Sequence, residues 1–113
     1  MTSPPSNSTA LDIDLDKDGF LLNLSDWSPE VAETLAESDG IHLTEAHWEI
    51  LYAIRDFYEE FDLSPAMRPL SRYIKQKLGA EKASSIYLMT LFPESPAKRA
   101  ARIAGLPRPE NCL

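Results

Sequence analysis

The chain has 113 residues, 43% hydrophobic and 26% charged, which suits one small globular domain and excludes a fibrous or wholly disordered chain. No apolar run approaches the roughly 20 residues of a membrane span, and the opening MTSPPSNSTA has neither the basic start nor the apolar stretch of a secretory signal, so the expectation is a cytoplasmic protein without membrane contact. The net charge is −7, and the single cysteine, Cys112, excludes an internal disulfide or a multi-cysteine metal site, so neither a metal nor another cofactor is expected.

Residues 1–10, rich in Pro and Ser and without periodicity, read as a disordered leader. Leu11, Ile13 and Leu15 then alternate with Asp12, Asp14 and Asp16, the period of a half-buried strand. Asp18-Gly19 is a favoured hairpin dipeptide and Phe20-Leu21-Leu22 returns, predicting a β-hairpin over about 11–24. Ser28-Pro29 starts a helix, the serine as cap and the proline where its missing N–H costs nothing. Trp27, just before the cap, is placed to pack on Ala32 as a staple. Asp39-Gly40 ends that helix.

Thr44 caps the next helix. Trp48, Leu51, Ile54, Tyr58 and Phe61, spaced by three and four, give it one apolar face over 45–61. Leu63-Ser64-Pro65 breaks it. Another helix is expected from near Arg68 to Leu78, one over 81–91 closed by Pro93, and a last one from Ser95-Pro96 to about Ala104, with Gly105 at its end. Leu106-Pro-Arg-Pro-Glu-Asn-Cys-Leu113 has two prolines and no period; it is expected to be an extended, mobile arm, whose seven residues from Leu106 to Cys112 span at most about 23 Å. The fold class so read is α+β, mostly helical: a small N-terminal hairpin on about five helices, forming one domain over 11–105 with an arm over 106–113.

Charge is divided along the chain. Residues 1–63 carry 15 acidic and 2 basic side chains, residues 64–113 carry 3 and 9. Two readings are open: the halves neutralise each other within the fold, or the basic half faces an acidic partner or nucleic acid. The helices over 45–61 and 68–78, joined by a short break, have the layout of a helix-turn-helix, with Arg68, Arg72, Lys75 and Lys77 on the second. The acidic total opposes phosphate binding.

Asp14-x-Asp16-x-Asp18-Gly19 matches the first half of a calcium loop, but the twelfth position, which needs a bidentate glutamate, is Ser25. His42 and His47, five apart, do not have zinc-protease spacing and read as packing or surface residues. No nucleophile triad and no glycine-rich phosphate loop is visible. Cys112 stands apart, next to the terminus on a proline-stiffened segment: an incidental thiol, or a sulfur that enters another protein's pocket.

Several stretches together resemble the DsrC/TusE family. They are Lys17-Asp-Gly-Phe-Leu, Asp26-Trp27-Ser28, Gly40-Ile-His-Leu-Thr-Glu-Ala-His-Trp-Glu, Arg55-Asp-Phe-Tyr, Ser64-Pro-Ala-Met-Arg and Tyr87-Leu-Met-Thr-Leu-Phe-Pro. The most specific are Pro96-Ala97-Lys98 and Ile103-Ala-Gly-Leu-Pro-Arg-Pro109 followed by the penultimate Cys112. The resemblance covers about 11–113. It implies a persulfide relay in which Cys112 takes sulfur from a TusBCD-type donor and passes it to an MnmA-type tRNA thiolase, meeting tRNA only indirectly. Lys98, Arg99, Arg102 and Arg108 are then candidates for docking a partner or stabilising a persulfide. The DsrC branch carries a second cysteine, at the position occupied here by Ala101. The alternatives are a DsrC-related partner or regulator in sulfite and sulfur metabolism, and a helix-turn-helix DNA-binding protein.

Overall fold

The computed structural model describes residues 13–110. The expected leader over 1–10 and the arm tip with Cys112 lie outside the described residues. Among the described residues six helices follow in order: α1 (Pro29–Ser38), α2 (Glu45–Phe61), α3 (Met67–Leu78), α4 (Ala80–Ala83), α5 (Ser85–Leu91) and α6 (Pro96–Ile103), preceded by a single 3-10 turn at Leu24–Asp26.

The expected N-terminal hairpin is not a pair of strands. Among the described residues no strand forms, and the hairpin reduces to one isolated antiparallel bridge between Leu15 and Leu21. The Asp16 carboxylate closes the turn by accepting the N–H groups of Asp18 (2.8 Å) and Phe20 (2.9 Å), and on the other side of the bridge the pairing stops where Asn23 caps the 3-10 turn, its side-chain oxygen accepting the Ser25 N–H at 3.3 Å. The segment still reaches the core, because Phe20 and Leu21 are buried. The fold is thus helical rather than α+β over the described residues.

The helices follow their local chemistry. Ser28 Oγ accepts from the Val31 N–H at 3.2 Å with Pro29 in the first turn of α1. α2 begins after Thr44 and buries Ile50, Leu51, Ala53, Ile54 and Phe57. The one helix expected over 81–91 is two, because Ser84 is extended (φ −68°, ψ 146°) and its hydroxyl oxygen accepts the Tyr87 N–H at 3.1 Å, capping a fresh start. Six helices replace the expected five for that reason.

α6 is the hub. It packs against α1, α2, α3 and α5. Its buried residues Ala97, Ala100 and Ala101, with Ala104 beyond its end, fall at helical spacing, so it is thin enough to be approached on several sides. Phe92, Leu88, Ile50, Ile54, Leu70 and Ile74 fill the rest of the core.

Candidate functional site

The arm leaves the body at the end of α6, and its root is fixed by the helix itself and by side chains from far along the chain. α6 closes in a Schellman motif: the Leu106 N–H reaches the Ala101 carbonyl at 2.9 Å, the Gly105 N–H reaches Arg102 at 3.1 Å, and Gly105 takes φ +77°. The carbonyls that follow have no partner within the helix. Trp27 Nε1 donates to the Ile103 carbonyl at 2.9 Å, an Arg55 guanidinium N–H to Ala104 at 2.6 Å, and Ser64 Oγ to Pro107 at 2.5 Å. The Arg55 guanidinium lies 3.8 Å from the centre of the Trp27 ring. Burial lowers the Arg55 pKa, against the opposing pull of Glu59, Tyr52 and Asp56. Leu106 and Pro109 are buried, and Arg108 pairs with Asp18 at 2.7 Å. The first four residues of the expected arm therefore lie against the body, and Cys112 follows two residues after Glu110.

The four candidate basic residues have different fates. Arg102 is mostly buried: it pairs with Asp39 at 2.6 Å and donates to the carbonyls of Leu35 (3.1 Å) and Gly19 (3.3 Å), tying α6 to the end of α1 and to the 16–20 turn. Arg99 reaches Asp39 at 3.5 Å and Glu94 at 3.2 Å. Arg108 is the strap to Asp18 just described. Lys98 forms no ion pair among the described residues and, with Lys17 and Arg99, lines an open cleft of about 450 Å3. The structure thus brings Lys98, Arg99 and Arg102 to one wall and places Arg108 on the arm. Pairs such as Asp39–Arg102, Asp18–Arg108 and Glu49–Lys82 join the acidic half to the basic half, so part of the charge division is internal complementarity. On α3, Arg68, Arg72 and Lys75 are exposed.

His47 is a structural residue. Its Nε2 faces the Leu91 carbonyl at 2.9 Å, which only accepts, so Nε2 carries the proton and Nδ1 accepts from the Thr44 N–H at 3.0 Å. This completes a capping box with histidine in the place usually held by glutamate. Burial lowers its pKa, outweighing the Leu91 hydrogen bond, and the charge of His42 adds to the lowering.

Trp27, Arg55 and Ser64 were not legible as arm contacts, since each grips a main-chain carbonyl at least 43 positions away. One signal existed for Arg55: it lies four residues after Leu51 and three before Tyr58, on the apolar side of α2 where a solvated arginine is out of place.

The family model described as "DsrC like protein" matches residues 7–113. The chain is 48% identical over 107 residues to the sulfurtransferase TusE homolog of Haemophilus influenzae, covering 95% of this chain and 98% of that one. It is 52% identical over 101 residues to sulfurtransferase TusE of Yersinia pseudotuberculosis, covering 89% and 94%. Among solved structures it is similar to Allochromatium vinosum DsrC (TM-score 0.81, 48% identity, 89% of this chain and 90% of that one). It is also similar to the oxidized gamma-subunit of the dissimilatory sulfite reductase (DsrC) from Archaeoglobus fulgidus (TM-score 0.77, 40% identity, 89% and 92%). With a family match across nearly its whole length and relatives at about half identity, the chain belongs to the DsrC-like family.

Proposed function

We propose that this protein is a sulfur carrier, a sulfurtransferase that holds sulfur as a persulfide on Cys112 and relays it toward tRNA thiolation. The observation that carries the reading is the position of the only cysteine, penultimate on a segment whose root is gripped by the body, in a chain about half identical to proteins named TusE. A thiol at the end of a thin segment can enter a partner's closed pocket while the body stays outside.

The chemistry is an exchange at sulfur. The Cys112 thiolate attacks the outer sulfur of a donor persulfide, the donor's sulfur–sulfur bond breaks, and the donor leaves as its thiolate. The carrier now holds Cys112–S–SH. A second thiolate, on the acceptor, repeats the attack and restores Cys112 as the thiolate. The transferred atom moves without external oxidant or reductant. The partners this reading names are a TusBCD-type donor and an MnmA-type tRNA thiolase, with tRNA met through the thiolase in the cytoplasm. Lys98, whose ammonium has no ion-pair partner among the described residues, is the freest of the four candidate basic residues to meet an acidic donor face; Arg102 is held by Asp39. The two-cysteine chemistry of the DsrC branch does not transfer, because Ala101 is fully buried in α6 and carries no sulfur.

Incubation with a persulfide donor followed by intact mass spectrometry is the test. A gain of about 32 Da that maps to Cys112 and is abolished by Cys112→Ser is expected; no gain, or a gain that survives the substitution, refutes the reading.

A further inference from the structure

Three donors from three distant places converge on the arm root. Trp27 precedes α1, Arg55 lies in α2 and Ser64 in the loop before α3, yet they satisfy the carbonyls of Ile103, Ala104 and Pro107. Water could hydrate those carbonyls equally well, as it does at many helix ends. Here a guanidinium is instead drawn from solvent and stacked on an indole at 3.8 Å, and among the described residues it has no carboxylate within ion-pair distance. Such a placement is unfavourable for a cation unless its hydrogen bond and stacking compensate. Only arginine combines a flat face for the indole with an edge N–H for the carbonyl; a lysine ammonium offers a point charge and no plane.

We propose that Trp27, Arg55 and Ser64 are positioning residues for sulfur transfer: by locking Ile103–Pro107 to the body, they set where the arm departs and so where Cys112 is presented to a partner. This rests on the carrier reading above. Its consequence follows from tether length. With the lock closed, the chain is held through Pro109, and three residues (110–112) lead to the sulfur. With the lock open, and the Arg108–Asp18 strap let go with it, the free tether is at most nine residues (104–112). Once a partner has engaged the body, the tip finds its pocket at an effective concentration that falls with about the −3/2 power of tether length, so opening the lock dilutes the tip by up to about fivefold. The thiol's own reactivity is untouched, because none of the three residues acts on sulfur.

The lone cysteine allows a nitroxide label at Cys112 with no background. In full-length protein, Arg55→Gln and, separately, the milder Ser64→Ala are expected to narrow the label's EPR spectrum relative to wild type while circular dichroism shows unchanged helix content. Unlabelled variants, loaded with sulfur from inorganic polysulfide, are expected to pass it to the tRNA thiolase more slowly, by up to about fivefold and less for Ser64→Ala than for Arg55→Gln, with iodoacetamide alkylation of the unloaded thiol unchanged. Arg55→Lys is expected not to restore either readout. Wild-type label motion and transfer in both variants would overturn the proposal, and so would a parallel slowing of alkylation, which would place these residues in the chemistry of the thiol. If wild-type protein passes no sulfur at all, the carrier reading fails, and the EPR comparison still decides whether the lock holds the tip.

Discussion

Gly105→Ala and Gly40→Ala make a matched pair that separates backbone strain from steric overlap. Both glycines end a helix in the same Schellman motif, with φ +77° at Gly105 and +74° at Gly40. An alanine in that conformation costs about 1 kcal/mol at either site. The surroundings differ. At Gly40 no atom lies within 4 Å of the added methyl, whereas at Gly105 it would sit 2.3 Å from Trp27 Cδ1 and 2.6 Å from Cγ. The indole is held by its bond to Ile103 and by the Arg55 stack, so its retreat forfeits both. Overpacking of about 1–3 kcal/mol and a lost hydrogen bond of about 1 kcal/mol add to the strain, giving about 3–5 kcal/mol for Gly105→Ala against about 1 for Gly40→Ala. At roughly 5 °C per kcal/mol for a domain of this size, the melting temperature falls by about 15–25 °C in the first variant and about 5 °C in the second. Thermal melts followed by circular dichroism, with urea titration to compare slopes, measure the gap. Equal melting temperatures for the two variants would refute the claim that Trp27 is clamped against the arm root.

Arg102→Met strips Asp39 of its closest cation and two carbonyls of a charged donor, an expected loss of about 3 kcal/mol in urea unfolding, whereas Lys98→Met is expected to stay within about 0.5 kcal/mol of wild type. Comparable costs at the two positions would contradict the division of the basic residues into one structural and one free. Because burial holds the His47 pKa below its ordinary value of 6.5, the unfolded chain binds the proton first, so stability declines as pH drops below about 6.5, by at most about 1.4 kcal/mol per pH unit. Urea midpoints between pH 7.5 and 5.5 should therefore fall more steeply for wild type than for His47→Gln; parallel curves would show that the imidazole is not held neutral in the native state.

Helix limits were readable wherever a cap and an apolar period coincide. α2 runs from Glu45 to Phe61 as its three-and-four spacing requires, and Ser28-Pro29 and Asp39-Gly40 bracket α1 as their chemistry predicts. The failures have local causes of their own. Alternation at Ile13 and Leu15 suggested a strand, but the returning segment turns into a 3-10 turn capped by Asn23 just beyond the bridge. Ser84 lay inside the stretch expected to form one helix and acted as a cap instead of a helical residue. The devices at the arm root were not legible. Hydrogen bonds to main-chain carbonyls leave no mark on the residue that accepts them, so Trp27 read as a staple and Ser64 as a helix breaker. The charge of α6 pointed outward in sequence terms, whereas Arg102 turned out to bind Asp39 and the ends of two neighbouring segments.

Protein carrying isotopically heavy sulfur on Cys112, separated from its donor and mixed with the tRNA thiolase, ATP and tRNA, tests the relay most directly. The account predicts that the heavy atom leaves Cys112 and appears in thiolated tRNA in equal amount, with none delivered by the Cys112→Ser protein. Thiolated tRNA that draws its sulfur from elsewhere while the label stays on Cys112 would contradict it.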